Sequence, residues 1–489
     1  MPFAQSLLES LTRDLPFLYG PLFLIIAATL MLWPGDLLVG RSNKRVWSVV
    51  AFLVLVAGGT LALLAPTGMG FSGMFKVDGL TKGFQFLSVL AGLVTIVLSQ
   101  PQLNALREQT VEYYALILFS ISGMMLLVGA SDLVSVYFSL ELMALCIYIL
   151  VAYLRTQERS IEAGLKYFLL GAFSSGILLY GISLLFGAAG GTTTNLAELN
   201  DRLALVSPNG SLMVFAGALM VLVGFAFKVA AVPFHMWSPD AYEGAPTPIT
   251  AFMSMAPKAA ALGAFVRVFG TGLRGVSTDW VTPLAFLAGA SMILGNVAAL
   301  RQQSLKRLLA YSSIAHVGYM LLGILSGDVQ AGAQALWLYM LTYLFMQSGA
   351  FAVIIYLQGK GVGERIGDLR GLGRRQPVLA FAMMVFMLSL AGIPPLLGFF
   401  SKFYLFKLAI EQGFVALTVL ALLTSAVAAW YYLNVVATMY FKEPLEEKPD
   451  AKPLSPAFTF LLTVSCALVL AGFFFGRSLL DWTARIVIG

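Results

Sequence analysis

An all-α polytopic membrane protein of about 14 transmembrane helices is the fold this chain encodes, and three observations point to it. Of its 489 residues, 59% are hydrophobic and only 11% charged, whereas a soluble domain carries roughly 25% charged residues. Apolar runs of about 20 residues, the length that crosses a bilayer, recur from one end to the other and leave no stretch for a soluble domain. Two of the runs are long and interrupted by proline and lysine, in "FKVAAVPFHMWSPDAYEGAPTPI" (227–249) and "SLAGIPPLLGFFSKFYLF" (389–406).

In chain order the spans centre near Ile25, Leu55, Val89, Phe119, Ala144, Ile177, Phe215, Ala260, Ala288, Met320, Tyr343, Met387, Leu422 and Val464. The interrupted ones are the seventh and the twelfth, five spans apart. A five-helix repeat has an odd number of crossings, so its second copy is inverted in the membrane. Paired, proline-broken segments in two halves mark inverted-repeat transporters and their sites. The expected organisation is three helices over 1–110, a first repeat over 111–278, an inverted second repeat over 279–442, and a loop with a final helix over 443–489.

Basic residues set the orientation. With both termini external, internal loops hold 17 of the 30 Lys and Arg residues, from Arg41 to Lys452. External positions hold 9, and four lysines (Lys166, Lys228, Lys258 and Lys402) lie in the spans. The modest net charge of +6 reflects this loop asymmetry. No basic face exists for a nucleic acid. The start, "MPFAQSLLESLTRDLP", has acids and no basic n-region, so the first span is expected to stay as an anchor. Cys146 and Cys466 are the only cysteines, both in spans. Two thiols cannot supply a Cys-ligated cluster or zinc site.

Several motifs carry no chemistry here. Gly270-Thr-Gly272-Leu-Arg-Gly275 spells a dinucleotide fingerprint, but that motif requires a strand before it and a helix after it. A membrane helix precedes this one, so it reads as an external loop. Gly359, Gly361 and Gly363 form another glycine-rich loop. Asn209-Gly-Ser211 matches a glycosylation acceptor too common to use. Two histidines, His235 and His316, would hold at most one haem. His316, near a span centre, suits a structural or a relay role equally; His235, beside prolines and Trp237, leans towards a relay.

The informative residues are charges inside spans: Glu141, Lys166, Lys228, Lys258 and Lys402. Each costs roughly 2.5–3.5 kcal/mol at a span centre. Lys166 lies about a turn inside its span, where an ion pair or snorkelling to the interface suffices. Lys228, Lys258 and Lys402 outnumber the one mid-membrane acid, so static pairing cannot neutralise them all. The alternative is proton exchange. Burial disfavours an ammonium, while a carboxylate about 4 Å away returns roughly 4 kcal/mol at an effective dielectric of 20. Moving Glu141 relative to Lys228 would then load or discharge the lysine. Pro233 removes the helix partner of the Val229 carbonyl, and Pro394 and Pro395 do so for Leu390 and Ala391. Freed carbonyls at membrane depth need protein or water, so hydrated cavities are expected beside Lys228 and Lys402. Ser254, Ser312, Ser313, Ser389 and Tyr404 are placed to order that water.

The stretch "FKVAAVPFHMWSPDAYEGAPTPITAFMSMAPKAAAL", with "LKRLLAYSSIAHVGYML" (305–321) and "SLAGIPPLLGFFSKFYLF" (389–406), resembles the antiporter-like, proton-pumping membrane subunits of respiratory complex I. The likeness runs over nearly all the spans. It implies Glu141 as carboxylate partner, Lys228 as switching lysine, Lys258 as central relay and Lys402 as terminal donor. It implies a channel or inter-subunit role for Lys166, and places His235 and His316 on the hydrated axis. Lysine rather than glutamate at 402, and the absence of a long lateral helix after the last span, separate the chain from two sibling subunit types. The family implies partners: the other complex I subunits, with neighbouring antiporter-like and small membrane subunits, within a lipid bilayer. No metal or cofactor is expected in this chain; NADH, FMN, iron–sulfur clusters and quinone belong to partner subunits. A bacterial inner membrane is the expected location. The rival is a subunit of a multi-subunit sodium/proton antiporter, which shares fold and lysines.

Overall fold

Backbone polar groups in lipid must be satisfied within a segment, which makes an apolar run of this length a helix. The computed structural model describes residues 10, 12–33, 45–106, 110–206, 211–359, 361, 363–444 and 455–487. The basic residues Arg41, Lys44, Arg107, Lys360, Lys448 and Lys452, the start of the chain, and the Asn209-Gly210 pair lie outside the described residues.

The first half contains α1 (Tyr19–Leu32), α2 (Val46–Leu64), α3 (Gly79–Leu106), α4 (Val111–Gly129), α5 (Leu133–Val151), α6 (Glu158–Ala188), α7 (Leu196–Val206), α8 (Leu212–Val229), α9 (Trp237–Gly244) and α10 (Thr247–Arg267). The second contains α11 (Ser277–Ala299), α12 (Leu305–Ile324), α13 (Val329–Gln358), α14 (Pro377–Ala391), α15 (Leu397–Glu411), α16 (Val415–Phe441), α17 (Pro456–Ala471) and α18 (Gly476–Val487). Among the described residues, 11 helices are long and apolar enough to cross a membrane, or 12 if the bent pair α17–α18 is one span. All the expected span centres fall on helices. Helix α12 falls short on composition, because its 20 residues include Lys306, Arg307, two serines and His316.

Both interrupted spans are broken, α8 from α9 and α14 from α15. Four features escaped the hydropathy pattern. A short antiparallel hairpin pairs β1 (Gly68–Gly70) with β2 (Phe75–Val77). Helix α7 lies outside the spans. The final span ends at Ala471, where the chain turns by 108° into α18. The glycines of the expected external loop are helical instead: Val268–Gly272 forms a π-turn and Arg274–Val276 a 3₁₀ turn.

Helix α10 forms the centre. Every residue from Thr247 to Arg267 is buried, and it packs against α3, α4 and α13. Its C-terminal end is tied by Arg267, which donates to both carboxylate oxygens of Asp78 (2.7 and 3.1 Å), to Thr81 Oγ1 and to the Val128 carbonyl. Asp78 also accepts the Thr81 N–H at the start of α3. Burial alone would raise the Asp78 carboxyl, but the Arg267 guanidinium holds it well below the usual carboxylate range. A depressed acid contributes stability above its unfolded pKa, about 4, and loses it only as pH falls through the lower folded value. Breaking such a pair leaves an uncompensated charge, at about 3 kcal/mol or more. Asp78→Asn is therefore expected to lower the melting temperature of the detergent-solubilised protein by the same amount at pH 8 and pH 5. A deficit that vanishes by pH 5 would show that Asp78 is protonated there and that this account is wrong.

Candidate functional site

The first break begins where α8 ends in a left-handed turn. Ala230 has φ 62° and its N–H returns to the Ala226 and Phe227 carbonyls, while the Ala231 N–H also bonds the Ala226 carbonyl. This closes the helix three residues ahead of Pro233. The indole of Trp237 donates to the Phe227 carbonyl at 3.0 Å, so a side chain from beyond the break is tied to the last turn of α8. Lys228 sits in the last turn of α8, where the helix dipole favours a cation. Its Nζ is buried, has no hydrogen-bond partner among the described residues and lies 3.7 Å from Glu141 Oε1. Glu141, on α5, accepts a short hydrogen bond from Ser175 of α6.

The second break repeats the construction. Helix α14 ends at Gly392, φ 85°, whose N–H bonds the Leu388 and Ser389 carbonyls. The carbonyls of Leu390 and Ala391 are the two freed by Pro394 and Pro395, and Lys402 occupies both. It reaches back from α15 and donates to Leu390 at 2.9 Å, Ala391 at 3.2 Å and Ser425 Oγ at 3.1 Å. Lys228 and Lys402 therefore both sit at the carbonyl end of a broken helix, Lys228 by residence and Lys402 by reach. That negative end is part of what makes the ammonium tolerable at Lys402, which has no acidic partner within 4 Å among the described residues. A cavity of about 580 Å³, lined by Phe399, Phe403, Phe406 and Leu422, leads to Lys402.

Lys258 lies between them on α10, 1% exposed. It donates to Ser313 and likewise has no acidic partner within 4 Å among the described residues. The next residue back on α12, Ser312, bonds Tyr432. Tyr432 lies 3.3 Å from His316 Nε2, and Tyr339 bonds His316 Nδ1 at 2.7 Å. One turn along α12, Tyr319 sits with its ring 5.2 Å from Lys402 Nζ and 5.8 Å from the His316 ring. Hydrogen bonds thus join Lys258 to Ser313, and Ser312 through Tyr432 to His316, hydroxyls and an imidazole that each both donate and accept, while Tyr319 completes the line to Lys402 by ring contacts, its hydroxyl bonding Asn296 and Thr424.

Two of the singled-out residues lie apart from this line. Lys166 is exposed and paired with Glu162 (2.7 Å) and Asp240 (3.2 Å). Asp240 continues to Arg307, which also bonds Glu243. This network fixes half-helix α9 against α6 and α12, so Lys166 belongs to the rim. His235 lies in the first break, and its buried Nδ1 has no partner. Of the water-ordering candidates, Ser313 and Ser312 join the line, whereas Ser254 bonds its own helix at Ala251. Ser389 caps Gly398 N, and Tyr404 bonds Gln334. Ser175, Ser425, Tyr319, Tyr339 and Tyr432 were missed. A hydroxyl in a span is too common to stand out, and only the clustering of Ser312, Ser313 and His316 on one stretch hinted at the group.

The family model described as "NADH:quinone oxidoreductase/Mrp antiporter, TM" matches residues 130–428. The chain is 42% identical over 473 residues to NADH-quinone oxidoreductase subunit N of Paramagnetospirillum magneticum, covering 94% of each. It is also 42% identical to subunit N 2 of Rhizobium meliloti, covering 96% of this chain and 95% of that one. A chain of respiratory complex I from Thermus thermophilus superposes with TM-score 0.79 at 34% identity, covering 94% of this chain and 98% of that one. A chain of the Mrp complex from Dietzia shares the fold alone, with TM-score 0.80 at 21% identity and 96% of each chain covered. With its broken helices, its buried lysines and these relatives, the chain belongs to the NADH-quinone oxidoreductase subunit N family.

Proposed function

We propose that the chain is the proton-translocating membrane subunit N of an NADH:quinone oxidoreductase and carries no redox site of its own. NADH, FMN, iron–sulfur clusters and quinone bind in partner subunits, and quinone reduction there drives the transfer. Glu141 and Lys228 gate entry, Lys258 passes the proton through Ser313, Ser312, Tyr432 and His316, and Lys402 delivers it. The observation that carries this reading is that Lys228, Lys258 and Lys402 are buried and, among the described residues, a single carboxylate, Glu141, lies within 4 Å of any of the three. Protons bound and released are what such an arrangement accommodates, since fixed charges there would stay uncompensated.

The two breaks, each capped by a left-handed residue, support two inverted five-helix repeats over 111–278 and 279–442 within 14 spans, and the excess of basic residues in the internal loops supports both termini external. The membrane is a bacterial inner membrane, and the partners are the other complex I subunits.

The test is Lys258→Met in the assembled enzyme, reconstituted in proteoliposomes. Proton pumping and coupled turnover are expected to fall well over tenfold, towards about a hundredfold, the lower end for loss of a proton-transfer group. A normal proton-to-electron ratio at normal turnover would overturn the reading. Co-purification of flavin- and cluster-bearing subunits decides against the sodium/proton antiporter alternative, and their absence decides for it.

A further inference from the structure

One oxygen of Glu141 is contested. Oε1 accepts the Ser175 hydroxyl, and the same Oε1 is the atom 3.7 Å from Lys228 Nζ. An ammonium–carboxylate hydrogen bond spans about 2.7–2.9 Å, so the lysine stops roughly 1 Å short of one. Its Nζ finds no hydrogen-bond partner among the described residues although it is buried. Such an orphaned donor costs free energy and marks a place where something holds the partner away.

Ser175 is fixed where it does this. Residues Gly171, Ser174, Ser175, Leu178, Gly181 and Ile182 form the buried face of α6. That face packs tightly on α8: a Cβ at Gly181 would come within 2.9 Å of the Val221 backbone nitrogen. The hydroxyl is therefore delivered by a helix in near backbone contact with the helix that bears Lys228. Tyr137 and Tyr148 of α5 are the other ionisable groups facing Glu141. Tyr148 also lies against Lys228, its ring centroid 5.9 Å from Nζ.

We propose that Ser175 is a positioning residue: it holds the Glu141 carboxylate just out of hydrogen-bonding reach of Lys228 and so keeps that lysine able to release its proton. This rests on the Glu141–Lys228 gate proposed above. A carboxylate favours a neighbouring ammonium more strongly the closer it stands. Losing the Ser175 bond lets Glu141 swing onto Lys228, and a directly bonded pair passes protons on more slowly. The adjacent Ser174 provides the control, because its hydroxyl is buried on the same face without a hydrogen-bond partner among the described residues.

The experiment uses the complete enzyme in proteoliposomes and compares S175A, S175T, S174A and K228A. It measures proton pumping driven by NADH and the infrared carboxylate stretch of Glu141, identified by its disappearance in E141Q. The expected result is a several-fold loss of pumping in S175A with a shifted carboxylate band. S175T, which keeps the hydroxyl, restores both, and S174A matches the parent protein. S175A that pumps normally with an unmoved band would overturn the proposal. So would equal losses in S175A and S174A with an unmoved band, which is what a packing defect gives. K228A separates the two levels: normal pumping there removes the gate itself, whereas a silent K228A beside a normal S175A removes only the role of Ser175.

Discussion

Replacing Lys228 by alanine is expected to reduce redox-driven proton transport about tenfold or more. Lys228 is the one ammonium within 4 Å of Glu141 among the described residues, and no other side chain takes its place at the end of α8. Two effects accompany the change and are separable. Alanine leaves Glu141, whose side chain is 22% exposed, without its ionic partner, and breaking such a pair destabilises by at most about 3–5 kcal/mol. Assembly of the enzyme therefore falls as well. Lys228→Arg keeps the charge, but a guanidinium does not release its proton. The arginine variant should assemble and not pump. The double variant Glu141→Gln with Lys228→Met is neutral and should also assemble without pumping. Pumping by the arginine variant at the parent rate would mean that only the charge matters, and the switch would be discarded.

The second large effect is at Lys402. This lysine fills the helix break by donating to two backbone carbonyls and Ser425. Alanine removes the proposed proton donor, leaves the Leu390 carbonyl without the lysine and leaves Ala391, among the described residues, with only the longer bond from Ser425, 3.4 Å. Each unpaired buried acceptor costs about 1–3 kcal/mol, so Lys402→Ala should lose pumping about tenfold or more together with stability. Lys402→Arg retains donors for the carbonyls and isolates the proton-transfer role. Its expected phenotype is a stable, assembled enzyme with coupled turnover as low as that of the alanine variant. An arginine variant that turns over normally would make Lys402 a plug for the break and nothing more.

Charged residues in spans are costly locally, so they announce themselves in one dimension. Glu141, Lys228, Lys258 and Lys402 stood out in apolar runs before any contact was known. The three lysines are buried, at 5% exposure or less, whereas the Glu141 side chain keeps 22%. The breaks were legible for the same reason, since proline removes a backbone donor wherever it stands. Even so, the first break is closed by Ala230 and Trp237 rather than by the proline–carbonyl rule, whereas the second follows that rule at Leu390 and Ala391. Lys166 shows the converse. Its place one turn inside a span allowed rim or axis, and the direction of its helix face, set by packing, put it with Glu162 and Asp240.

Hydropathy and proline placement thus specify a many-helix membrane bundle, its two broken spans and the ionisable residues at its heart. They do not specify which neutral groups connect those residues. A serine or tyrosine costs little in a span because it can bond its own helix, as Ser88, Thr95 and Ser99 do at the carbonyl four residues back. Nothing in the chain distinguishes Ser174 from Ser175, adjacent and both buried. The rotation of α6 against α5 and α8 gives one of them Glu141 and the other no partner. Only tertiary packing makes that choice, because a hydrogen bond between helices depends on a direction that no single helix contains.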